Sequence, residues 1–242
     1  MTLSRRDLLL AGAVGLGGLG GCLGDSGGGA GGSDTPSPGS TAADATDAAT
    51  DGPTTATFDA HPATADVAAQ PRLGSADADV QIVAFEDPSC PRCRAFERNT
   101  VPEIRSELVE TGVGSFVVRT APLVYPWGEP AIYALEATYA RDADAFWGLL
   151  GHYFEAQSSF DADNVRSKTA SWLSANTELD GEGVVEAADG DEAAAAVAAD
   201  VDAAEAANVT GTPTVFLFRD GSYVTRATGS VSFDLIRSAL GL

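Results

Sequence analysis

Val80-Gln81-Ile82-Val83-Ala84-Phe85-Glu86-Asp87-Pro88-Ser89-Cys90-Pro91-Arg92-Cys93 is the stretch on which the fold turns. Its first six residues form a β-branched, apolar run of the kind that makes a buried strand. Glu86 to Ser89 reads as a turn. A helical pattern then opens at Pro91, where a missing N–H costs nothing because the first turn has no intrahelical partner for it. Two cysteines three positions apart at a helix start bring their sulfurs within disulfide reach. Unbonded N–H groups and the helix dipole at that end favour a thiolate on the first sulfur. Arg92 and Arg94 add positive charge nearby. Cys90 is therefore expected to face solvent as the attacking and leaving sulfur, with Cys93 as the buried resolving sulfur.

A lone C-x-x-C also fits half of a zinc site, a copper-carrier loop or an inert disulfide. Zinc needs two further ligands, and His61 and His152 are distant in the chain and lack ligand spacing. A disulfide across so small a loop would gain little entropy. Neither a metal nor an organic cofactor is expected; the redox group would be the cysteine pair itself.

Outward from this centre, the helix is expected from Pro91 to about Glu110, kinked at Pro102. Residues 115–119 form a second strand, which makes a βαβ unit with a parallel strand pair. Helices are expected near 130–141, 143–157, 164–175 and 191–207. Thr214 to Phe218 and Tyr223 to Arg226 are strands joined by Asp220-Gly221, a strong hairpin signal. A last helix covers Phe233 to Leu240. The order is βαβ, helical insertion over about 121–208, then ββα: an α/β fold around a central mixed sheet.

Leu73-Gly74-Ser75-Ala76-Asp77-Ala78-Asp79-Val80, the Cys90–Cys93 pair and Gly211-Thr212-Pro213-Thr214 together resemble the DsbA-like branch of the thioredoxin superfamily, over about residues 72–242. The resemblance implies a thioredoxin-like fold and thiol–disulfide exchange. It implies a cis Pro213 beside the disulfide and a Thr212 backbone that pairs with extended substrate. Relatives often carry a buried acid six positions before the first cysteine, and that position is Ala84 here. Glu86, two residues on and on the same strand face, is a candidate proton shuttle in its place, or else a solvated loop residue. Arg92 is a candidate substrate contact. Trp127 is a groove residue or a core residue.

The chain begins with Arg5-Arg6 before an apolar, glycine-rich run from Leu8 to Gly21, too short and glycine-rich to span a bilayer of roughly 30 Å. The run ends Leu19-Gly20-Gly21-Cys22. Residues 1–21 thus read as a Tat-type lipoprotein signal peptide, with Cys22 the lipid anchor. Residues 22–70 are rich in Gly, Ser, Thr and Asp and read as a disordered tether. The folded domain is expected over 71–242.

Thirty-five acidic residues oppose 14 basic ones, Lys168 being the single lysine, for a net charge of -21. Such a surface repels nucleic acid and anionic lipid, so neither is expected as a direct partner, and membrane contact is expected through the lipid anchor alone. The composition resembles that of haloarchaeal proteins. The expected protein is an exported oxidoreductase held at the outer face of the cell membrane. It would form disulfides in cysteine-containing exported polypeptides and be recycled by a separate redox partner. A reductase or isomerase, a metal-binding lipoprotein and a structural surface protein are the other readings.

Overall fold

A computed structural model describes residues 56–229 and 231–242. The readings made for residues 1–55, including the signal peptide, Cys22 and most of the tether, lie outside the described residues. Five strands form one sheet in the order β1-β3-β2-β4-β5. They are β1 (Arg72–Leu73), β2 (Val80–Glu86), β3 (Gly114–Thr120), β4 (Thr214–Arg219) and β5 (Ser222–Thr228). β2 pairs in parallel with β3 and antiparallel with β4; β1 and β5 add antiparallel edges. The two central strands are buried on both faces, which is why β2 reads as a nearly continuous apolar run. Asp220 and Gly221 both have positive φ, 50° and 71°. That is the geometry of a tight turn matching the twist of the hairpin it closes.

One sheet face packs Ile82, Ala84, Phe116, Val118, Val215 and Leu217 into the larger core. The other packs Val83, Phe85, Val117, Phe216 and Phe218. Helix α1 (Pro91–Asn99) follows β2 directly. It stops before Pro102, whose missing N–H breaks the ladder. A short α2 (Val101–Ile104) and a wide turn over Arg105–Val109 continue it. Thr100, at the break, donates its hydroxyl to the Val231 carbonyl at 2.7 Å. The insertion comprises α3 (Gly128–Tyr139), α4 (Ala143–Glu155), α5 (Val165–Asn176), α6 (Gly181–Ala188) and α7 (Asp191–Ala206); α8 (Phe233–Leu240) closes the chain.

The stretch read as tether is folded at its C-terminal end. Residues 58–69 form three single helical turns, so among the described residues folded structure reaches back to Ala56, ahead of the expected boundary at 71. Phe58, Ala63 and Val67 pack on the second sheet face. Tyr223 N–H donates to the Ala56 carbonyl at 2.9 Å, and Phe58 N–H to the Gly221 carbonyl at 2.8 Å. Arg119, fully buried, donates from Nη1 to the Ala63 and Ala65 carbonyls, from Nη2 to that of Ala199, and from Nε to Asp200 Oδ1 at 3.0 Å. Asp200 in turn accepts from Thr120 N–H at 2.7 Å and from its hydroxyl at 3.1 Å. One buried cation thus joins sheet, α7 and N-terminal segment.

Candidate active site

The turn between β2 and α1 is organised by Asp87. Its Oδ1 accepts from Ser89 N–H at 2.7 Å and Ser89 Oγ at 2.6 Å. Its Oδ2 accepts from the N–H groups of Leu123 and Val124, both at 2.9 Å. Ser89 Oγ also accepts from Tyr125 N–H at 3.0 Å. One buried carboxylate therefore closes the turn and ties it to the segment leaving β3. Gly128 lies so close that an added Cβ would come within 2.5 Å of Asp87 Oδ1. From the insertion, Gln157 Nε2 donates to the carbonyls of Pro88 and Cys90, each at 2.9 Å. Asp87, Ser89 and Gln157 are site residues that the sequence reading did not single out. The Asp87–Ser89 bonds are local, but the bonds that tie Asp87 and Ser89 to residues 123–125 and Gln157 to the turn join positions 36 to 69 apart, which no local pattern announces.

Both sulfurs are free thiols in this structure. Cys90 lies at the N-cap of α1 and Cys93 inside its first turn. The expectation that Cys90 faces solvent is corrected: it is 3% exposed, and Cys93 is fully buried. The Gly211–Pro213 loop closes over it, and Cys90 Sγ donates to the Thr212 carbonyl at 3.2 Å. The Thr212–Pro213 peptide is cis.

The two thiols are driven apart. Cys90 is lowered to about 6, first by a hydrogen bond from the Cys93 thiol, then by the Thr212 side chain and the N–H groups of Cys93 and Arg92, against an opposing effect of burial. Cys93 is pushed well above the usual thiol range, first by burial, then by its bond to Cys90 and by the charge of Glu86; Asp87 N–H, 3.5 Å from its sulfur, opposes this weakly. Hydrogen bonds at the helix start, rather than the arginine charges, set the Cys90 value.

Arg92 is exposed at the rim, and its Nη1 would lie 3.9 Å from a Cβ added to Gly229, across the loop after β5. Arg94, half-buried, borders a groove of about 500 Å³ together with Pro91, Tyr125, Trp127 and Phe160. Trp127 takes both roles weighed for it: it lines the groove and is 6% exposed, stacked on Phe160 with centroids 5.2 Å apart. Leu123, Val124 and Tyr125, just before it, are exposed apolar residues.

Glu86 is not a solvated loop residue. It ends β2 on the Ala84 face, is fully buried, and neither carboxyl oxygen has a hydrogen-bond partner. Burial first, then the charge and side chain of Glu97, raise it well above the usual carboxylate range. Glu97 sits one helical turn beyond Cys93, a spacing legible in the sequence. His61 and His152 are far from the sulfurs in role: His61 stacks on Tyr223 and His152 on Trp172. Among the described residues no cluster of His, Cys, Asp or Glu could hold a metal ion.

The Thioredoxin_4 family, described as thioredoxin, matches residues 66–230. The Disulfide bond formation protein D of Bacillus subtilis is 28% identical over 149 residues, 61% of this chain and 67% of that one. The Probable disulfide bond formation protein D of Bacillus anthracis is 30% identical over 88 residues, 36% of this chain and 41% of that one. Among solved structures, oxidised BdbD of Bacillus subtilis superposes with a TM-score of 0.64 at 24% identity, covering 72% of this chain and 92% of that one. The α-DsbA1 of Wolbachia pipientis gives 0.60 at 17% identity, covering 71% and 89%. Strand order, cysteine placement and family match agree that this chain belongs to the thioredoxin family and is a protein-disulfide oxidoreductase.

Proposed function

We propose that the Cys90-Pro91-Arg92-Cys93 turn is the redox centre and that it works in the oxidising direction. In the oxidised protein a substrate thiolate attacks Cys90 and forms a mixed disulfide, with Cys93 leaving and taking up a proton. A second substrate thiolate then attacks its own partner sulfur, releasing Cys90 as a thiolate. The substrate has lost two electrons and gained a disulfide; the Cys90–Cys93 pair has gained both electrons. A separate disulfide-bearing partner removes them again.

The observation that carries this reading is the opposite displacement of the two thiols, Cys90 down to about 6 and Cys93 up. A good leaving thiolate stabilises the reduced pair, which makes the disulfide the stronger oxidant. Pro213 and Thr212 form the wall against which an extended substrate lies, with Arg92 at its rim. Glu86 serves as the buried acid beneath Cys93.

We further infer that substrates are cysteine-containing exported polypeptides. The twin arginine and the Gly20-Gly21-Cys22 box support export and a lipid anchor at the outer membrane face, and the charge of -21 supports a saline setting. The test is oxidation of a reduced two-cysteine peptide by the purified protein. Wild type oxidises it stoichiometrically and Cys90→Ser does not. A measured potential well below about -250 mV would assign the protein to the reducing direction instead.

A further inference from the structure

Three of the chain's 14 basic residues, Arg92, Arg94 and Arg98, fall within the nine residues of α1. Helix physics argues against this placement. Arg92 and Arg94 stand at the N-terminal end, where the dipole disfavours cations, and no acid occupies the first turn. Arg94 and Arg98, four positions apart, repel each other along one face. None of the three belongs to an ion pair among the described residues, and Arg94 Nε is buried with no hydrogen-bond partner. Nor do they set the Cys90 thiol, which owes its value to hydrogen bonds. Cations so placed, in a chain of net charge -21, call for a counter-charge from outside.

Pro91, Arg94, Ala95, Arg98 and Asn99 line a groove of about 260 Å³ along α1, starting beside the redox turn. At about 1.5 Å of rise per residue, Arg94 and Arg98 stand about 6 and about 12 Å along the axis from Cys90. A polypeptide extended at about 3.3 Å per residue covers those distances in about two and about four residues. Side chains of an extended segment alternate, so both positions face the same way as the cysteine that meets Cys90. Asp161, which borders the adjoining groove with Arg94, is already engaged. It accepts from the N–H groups of Asp163 and Asn164 at 3.0 and 2.9 Å, and from Asn164 Nδ2 at 2.8 Å.

We infer that the Arg94–Arg98 face of α1 selects substrate polypeptides that carry carboxylate side chains two and four positions from the reacting cysteine. This deepens the redox reading proposed above and rests on Cys90 being the sulfur that substrate attacks. Each guanidinium presents a planar fork of donors that matches a carboxylate. At long range the acidic chain as a whole repels such a substrate. In about 1 M salt that field is screened within about 3 Å, whereas a partly buried contact pair is screened much less. The selection therefore belongs to direct contact and persists in concentrated salt.

The test uses the oxidised full chain in about 1 M salt and three reduced two-cysteine peptides. They carry Glu, Gln or Lys at the positions two and four outside each cysteine and are otherwise identical. Each rate is divided by that peptide's rate with a small aromatic disulfide, which removes differences in thiol reactivity. Wild type should oxidise the Glu peptide at least about threefold faster than the Gln peptide, as two ion pairs at a surface allow, and the Lys peptide slowest. Arg98→Glu should bring the Glu-to-Gln ratio close to one. The double variant with Arg94→Glu should reverse the order and make the Lys peptide fastest. Arg98 is exposed, so the single variant reads this face whether or not the double variant folds. Ratios are taken within one variant, and a general loss of activity does not move them. The selection is overturned if wild type treats the Glu and Gln peptides alike, or if Arg98→Glu keeps the wild-type ratio. Failure of wild type to oxidise any of the three would overturn the redox reading itself, and the selection with it.

Discussion

The potential of the Cys90–Cys93 couple should depend on pH in a way fixed by the Cys90 thiol. With a midpoint of about 6, Cys90 is about 90% thiolate at pH 7; at an ordinary thiol value it would be a few per cent at most. At pH 7 the thiolate form outweighs the thiol about ten to one, so ionisation stabilises the reduced pair about tenfold, which for a two-electron couple is about 30 mV toward the oxidant. Cys93 keeps its proton throughout this range. Between the two midpoints, reduction takes up two electrons and one proton, so the potential falls by about 30 mV per pH unit. Below about 6 it takes up two protons and falls by about 59 mV per unit. The sign follows from linkage: a depressed thiol stabilises the reduced fold above its midpoint, and that contribution is lost as pH falls through it. The assay is equilibration with a dithiol–disulfide buffer at stepped pH, with the pair trapped by alkylation and weighed. Thr212→Val removes a hydroxyl that favours the anion and should move the break upward. A slope near 59 mV persisting to alkaline pH in wild type would refute the hydrogen-bonded thiolate.

Gln157→Leu strands two buried carbonyls, those of Pro88 and Cys90. It should cost about 2–4 kcal/mol in urea unfolding and slow the reaction of Cys90 with alkylating agents. Arg119→Met leaves Asp200 charged and buried and should cost about 3–5 kcal/mol. The double variant with Asp200→Leu should recover part of that loss, as a double-mutant cycle would show. Glu136 is raised to about 8, first by burial and then by Asp200. A raised carboxyl binds more protons folded than unfolded, so wild-type stability should decline from about pH 4.5 to about 8. In Glu136→Gln, thermal melts over that range should show a shallower decline.

Much of this was legible because it is local. The run Val80 to Phe85, the proline-started helix with its two cysteines, the Asp220-Gly221 hairpin and the Phe233–Leu240 helix each declare themselves within a few residues. What was missed is held by distant partners. Helix α6 starts Gly-Glu-Gly, a poor helical beginning, and is fixed by packing: Gly181 N–H donates to Ser174 Oγ at 3.0 Å and its Cα allows no side chain against Ala170. Strand β1 is two residues long and exists through its pairing with β3. Residues 58–69 have no apolar periodicity, and their order comes from Arg119 and the hairpin, far along the chain. The exposure expected for Cys90 failed for the same reason, since the loop that covers it arrives 122 positions later.

The point where Ala56 meets Tyr223 has a bearing on orientation. It lies by the Asp220-Gly221 turn, at the end of β4 remote from Pro213, about 20 Å along a six-residue strand from the sulfurs. Whatever precedes Ala56 therefore takes hold of the pole opposite the reactive one. A load applied to the chain at Ala56 would therefore reach the hairpin edge before the redox turn, and anything joined there would leave the reactive pole uncovered.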